Sequence, residues 1–285
     1  MYALDGFNKN IANIYRLSAP FAAGRIVTAE DLRAPYRSFI KRFHGDPAIN
    51  ESADLIVQDA TLTRKLLARI AGSRLNDLDQ EKMVDDTLDS NDIAARKCDI
   101  EDALHFIAAR RPEQYNLLRT AVHSIAISRS LRNRHGQRAH GGTSNGLIGL
   151  IWFALEERLH QVDLVEMLVH ELTHTLVFID ELNHGHFNYQ TLTLSDYWAQ
   201  SAILSRPRPM DKVVHSIVVS TEVLQARKTY IGEIHQRRVH PNTPRLTAQT
   251  RSAIDSVLHH PRVEEVCLPR AIELIHRCRE LLEVH

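Results

Sequence analysis

Two histidines four residues apart open the chemistry of this chain, in the run His170-Glu171-Leu172-Thr173-His174. A helix turns once per 3.6 residues, so positions 170 and 174 leave the same face about one turn apart. Both imidazoles can then reach one ion at the roughly 2.0–2.1 Å of a nitrogen ligand. Glu171 follows the first histidine and can point into the same cavity, where in zinc proteases such a glutamate takes a proton from metal-bound water. The five-residue pattern also arises by chance, so its surroundings decide its worth. Asp163 and Glu166 form a D-x-x-E pattern before an apolar run, the form of a capping box, which predicts a helix beginning near Asp163. Leu164, Val165, Leu168, Val169, Leu172, Leu176 and Ile179 recur at helical spacing, which carries it to about Asp180. Two imidazoles set into so apolar a helix without partners would be costly, so a metal is the expected occupant.

Two histidines do not fill a coordination sphere. Downstream, Pro209 suits the first turn of a helix, and Met210, Val213, Val214, Ile217, Val218, Thr221 and Leu224 repeat at helical spacing. That helix is rich in β-branched residues and must owe its stability to packing more than to propensity. His215 sits at the edge of its apolar stripe and Glu222 lies seven residues on, about 10.5 Å along the axis. One of the two is therefore expected as a ligand, and the other beside the ligands or facing the substrate. Glu181 stands a similar distance beyond His174 and is a weaker candidate. His184 and His186 follow a helix end near Asn183-His184-Gly185 and read as loop residues at a cavity mouth or on the surface.

The elements that must position these residues read as mainly α. Ala29–Phe43 has helical spacing, with Pro35 expected to kink or break it. Asn50–Ile70 continues the pattern through Leu55, Ile56, Leu62, Leu66, Leu67 and Ile70. Residues 74–100 are acidic and polar and read as an exposed helix or loop, and Asp99–Ala109 as a helix. Ala121–Ser128 alternates like a strand. The glycine-marked stretch 132–146 reads as a loop, and Leu147–Leu155 as a buried strand or helix, the flanking glycines favouring a strand. The expected architecture is one domain, with a helical half over about 1–115, a metal-binding half over about 116–285, and a small strand element beside the metal helix.

Composition narrows the partners. The chain has 285 residues, 44% hydrophobic and 25% charged, with 35 Lys+Arg against 35 Asp+Glu. It offers no bulk attraction for nucleic acid or an anionic membrane. Three cysteines without a CxxC pair fit a reducing compartment. The absence of an apolar run of 18 residues or of a signal-like start predicts a cytoplasmic protein.

Taken together, HELTHTLVFIDEL (170–182) and RPRPMDKVVHSIVVSTEV (206–223) resemble the HExxH-motif peptide-modification family, whose characterised members are iron- and 2-oxoglutarate-dependent peptide β-hydroxylases. The resemblance covers roughly residues 145–230, and the R-P-x-D-K-x-x-H-S pattern is its more specific part. It implies Fe(II) held by His170, His174 and His215, with 2-oxoglutarate on the iron. Its implied substrate is a ribosomally made peptide hydroxylated at a side-chain β-carbon, and Glu171 would tune the site without acting as a protease base. Iron oxygenases commonly use two histidines and a carboxylate, a pattern that Glu222 in place of His215 would restore. A dicarboxylate co-substrate calls for a cationic clamp, for which Arg208, Arg206 and Lys212 are the candidates. The competing expectations are a Zn2+ metallopeptidase, with Glu171 as base and Glu222 as third ligand, and a non-enzymatic helical protein with a structural metal.

Overall fold

Helices carry most of the chain, as the spacing of its apolar residues predicts. The computed structural model describes residues 1–71, 84–85, 90–132, 138–154, 159–192, 194–204, 206–233 and 238–283. Among them the α-helices are α1 (Tyr2–Ser18), α2 (Arg33–Phe43), α3 (Ala60–Ala71), α4 (Ser90–Arg110), α5 (Pro112–Ala121), α6 (Gln161–His184), α7 (Met210–Ala226), α8 (Thr243–Leu258), α9 (Val263–Val266) and α10 (Pro269–Glu283). The short strands are β1 (Val84–Asp85), β2 (Ser124–Ser130), β3 (Gly141–Thr143), β4 (Leu150–Ala154), β5 (Trp198–Gln200) and β6 (Pro207–Pro209). No described helix is long and apolar enough to cross a membrane.

The chain divides into two compact units, one continuous over Phe7–Ile179 and one joining Met1–Gly6 to Asp180–His285. In the continuous unit, strands order β1-β2-β4-β3. The central pair β2 and β4 is parallel, with Ser124 opposite Leu150 and Ser128 opposite Ala154. All of β4 and nearly all of β2 is buried, as parallel strands covered on both faces require. The buried indole N–H of β4 is satisfied, since Trp152 Nε1 donates to Ser128 Oγ at 2.6 Å. Gly149 leads into β4 at φ 91°, and a Cβ there would stand 2.7 Å from the Ala121 carbonyl oxygen. Only glycine meets both conditions.

The other unit is built on α7, in which every residue except Lys212 and Gln225 is buried. It packs against α8 and α10, and this enclosure explains a helix that its β-branched residues alone would not hold. Buried hydroxyls are spent on its own backbone: Ser220 and Thr221 donate to the carbonyls four residues earlier at 2.7 and 2.9 Å. The chain's first residues belong to the same unit. Gly6, at φ 72° and ψ 174°, interrupts α1 at the unit's border, and Arg270 and Arg277 of α10 both donate to the Asp5 carboxylate.

Several elements depart from the expected reading. Pro35 neither kinks nor breaks α2, because the helix starts at Arg33 and the proline falls in the first turn, where its missing N–H has no acceptor to lose. Residues 50–57 are not helical, and Ile56 instead forms a parallel bridge with Ile125 of β2. Asn50 holds that segment by donating to the carbonyls of Asp54 and Leu55. Part of the expected 132–146 loop is the strand β3, while residues 133–137 lie outside the described residues, as does most of the acidic 74–100 stretch. The helix that carries His170 and His174 starts at Gln161, so Asp163 sits in its first turn and the first carbonyl acceptor is His160. Pro209 precedes α7 as its cap residue.

Candidate metal centre

α6 brings His170, Glu171 and His174 together in the continuous unit. Their ligand atoms all lie within 4.8 Å of one another, and no other such His, Cys, Asp or Glu group occurs among the described residues. His170 Nε2 and His174 Nε2 are 3.2 Å apart. That is the separation of two nitrogens about 2.1 Å from one ion that subtend about 100° there. The angle falls between octahedral and tetrahedral values, so the pair suits Fe(II) and Zn2+ alike. Both rings are partly exposed, which leaves an approach for an ion.

Glu171 is 5% exposed, with Oε1 3.9 Å from His170 Nε2. Burial pushes its carboxyl up to about 7, with a hydrogen bond from Thr143 pulling the other way. Thr143, the last residue of β3, donates to Glu171 Oε2. Sequence reading missed Thr143 altogether, since nothing in Gly-Gly-Thr-Ser marks a strand. The Gly141 that precedes it is needed for close approach: a Cβ there would stand 2.6 Å from the Trp152 carbonyl and 3.1 Å from Met167 Cε on α6.

The remaining candidates stand in the other unit. His215 is buried on α7. Burial, and then the positive charges of Lys212, His186 and Arg208, push its basicity well below the usual range. It is therefore neutral, the form that donates a lone pair to a metal. Arg208 is buried on β6, and Lys212 Nζ lies 3.4 Å from the carboxylate of buried Asp211. Arg206 is half-buried, and its carbonyl accepts from Ser201 N at 2.9 Å. His215, Arg208 and Lys212 are thus neighbours within one unit.

Glu222 is engaged elsewhere. Its carboxylate accepts from Ala3 N at 2.8 Å and Leu4 N at 3.1 Å, and pairs with the Met1 amine at 2.9 Å. It caps the start of α1, as an acid at a helix N-terminus does. Glu181 accepts from the Tyr189 hydroxyl at 2.7 Å, and burial raises its pKa. His184 closes α6, with Nε2 3.9 Å from Asp180. His186 is neither surface nor mouth. It is fully buried, 2.7 Å from Asp180 Oδ2, and Arg270 closes on the same carboxylate at 2.8 and 3.0 Å. No sequence signal linked these three.

No protein-family model and no curated protein matches the chain.

Proposed function

We propose that the protein is an Fe(II)- and 2-oxoglutarate-dependent oxygenase that hydroxylates a side-chain β-carbon of a ribosomally made peptide. The observation that carries this reading is the contrast between His215 and Glu222. A zinc peptidase of the kind that adds a downstream glutamate would need Glu222 as its ligand, yet both of its oxygens are taken by the first residues of the chain. His215 is neutral and has the cations Arg208 and Lys212 for neighbours, which suits a metal-chelating dicarboxylate. His170 and His174 would hold the iron, with His215 as the nominated third ligand. Bound iron with its co-substrate supplies O2 chemistry: one oxygen atom enters the peptide C–H bond, and the other leaves in succinate as CO2 is lost. Glu171 would accept from Thr143 and keep its carboxyl beside His170, orienting the ligand face. Arg208 or Lys212 would orient the co-substrate carboxylate, with Arg206 the third candidate.

The test is to purify the full chain anaerobically, identify its metal and assay succinate formation with and without peptide. Iron and succinate are expected, whereas Zn2+ with cleaved peptides and no succinate would establish the peptidase instead. Metal content in His215→Ala and Glu222→Ala decides the third ligand: loss is expected only in the first.

A further inference from the structure

Arg33, the first residue of α2, is buried, and its guanidinium is only half engaged. Nη1 reaches the Glu30 carboxylate at 2.6 Å. Nε and Nη2 are enclosed and meet no hydrogen-bond partner among the described residues. These two nitrogens form one edge of the planar guanidinium, the fork that takes two oxygens of a carboxylate or phosphate at once. Tyr36 leaves the same face of α2 one turn on. Its side chain is fully buried, and its hydroxyl also has no partner among the described residues. Helical side chains lean toward the N-terminus, which carries this hydroxyl back toward the turn of Arg33. Nε, Nη2 and the hydroxyl are all donors, and burying them is costly unless an acceptor joins them.

The surroundings favour a negative acceptor. Arg37, also one turn from Arg33, is half-buried and donates to the Glu51 and Ser52 carbonyls at 3.2 and 3.0 Å. Burial and then the charge of Arg33 lower its pKa, opposed by Glu51 and Glu30, and half-buried Arg119 of α5 adds to the lowering. The opposing carboxylates are turned outward. Glu30 is 66% exposed, and Glu51 is exposed and paired with Lys41. Asp31 is exposed and spends its carboxylate on the Val27 and Thr28 amides. α5 packs against this end of α2, where the Thr120 hydroxyl donates to the Ala29 carbonyl at 3.3 Å. We propose that a small oxyanion, phosphate or a carboxylate, binds at the start of α2 on the Nε–Nη2 edge of Arg33 and the Tyr36 hydroxyl. Arg37 and Arg119 supply the attracting field. This inference is independent of the oxygenase reading.

The test is a calorimetric titration of the full chain with inorganic phosphate and with acetate, in chloride buffers of matched ionic strength. The parent is compared with Arg33→Gln, Tyr36→Phe and His174→Ala. Saturable binding of at least one oxyanion is expected, about a hundredfold weaker in R33Q and about tenfold weaker in Y36F. Affinity in H174A should equal that of the parent. In chloride alone Y36F should melt no lower than the parent, since it loses only an unpartnered hydroxyl. Y36F therefore decides even if R33Q folds poorly. No binding of either oxyanion, or equal affinity in Y36F and the parent, would overturn the site. Loss of binding in H174A would place the anion at the α6 histidines and overturn it too, as would a lower melting point of Y36F in chloride.

Discussion

Two buried glutamates, Glu171 on α6 and Glu222 on α7, were both candidates for chemistry, the first from its motif and the second as an alternative ligand to His215. Glu171 faces one neutral donor, the Thr143 hydroxyl, and burial raises its pKa. Glu222 faces two backbone N–H groups and an amine. A buried carboxylate fully met by donors is fixed architecture. One left under-met beside two histidines is available to a proton or a metal site. The residue type is the same in both places, and the partners supplied by distant segments make the difference.

The comparison can be broken in several ways. The largest effect belongs to the ligands: His174→Ala should remove the metal and reduce turnover by more than about a hundredfold, beyond what loss of a ligand's hydrogen-bond partner costs. Metal analysis retaining full occupancy would show that α6 carries no centre. Glu222→Ala should leave buried donors unmet and cost about 3–5 kcal/mol in a denaturant titration, with metal content kept in the folded fraction. Glu171→Gln should do the reverse, with turnover down about 10–100-fold and an unchanged melting midpoint. If E171Q unfolds the protein and E222A spares it, the two roles are exchanged.

A smaller effect is set by pH. Burial alone would raise the pKa of Asp180, but bonds from His186 and Arg270 outweigh it and hold the carboxyl well below the usual range. A depressed folded pKa contributes stability above the unfolded value of about 3.9 and loses it as pH falls below that. Urea midpoints should therefore drop below about pH 4, and Asp180→Asn should flatten that slope while lowering stability near neutrality. The smallest effect expected is Thr143→Val, at about 1 kcal/mol. A much larger loss would mean that β3 is held by that hydroxyl rather than by its ladder to β4.

What the sequence made legible was local and periodic. The helix α6, the strands β2 and β4 and the apolar course of α7 follow from repeats of 3.6 or from short apolar runs. What it hid was non-local. β3 is three residues in a glycine-rich stretch, and only its ladder to β4 makes it a strand. Leu55 and Ile56 keep helical spacing, yet pairing with β2 claims them, a case of tertiary context overriding pattern. His186 looked like surface because its partners are Asp180, at the end of the preceding helix, and Arg270, 84 residues on (270 minus 186). The candidate histidines and Glu171 were readable from spacing. The engagement of Glu222 by residues more than two hundred positions away was not.

The Asp5 pairing with Arg270 and Arg277 carries a consequence for how the molecule is made. Its partners are 265 and 272 residues apart. The Phe7–Ile179 unit is contiguous and can begin to fold as it leaves the ribosome. The unit that holds Met1–Gly6 cannot close until α10 has been synthesised. Residues 1–6 are thus synthesised long before they find their place, and that closing step should be slow, as for any contact of such high order.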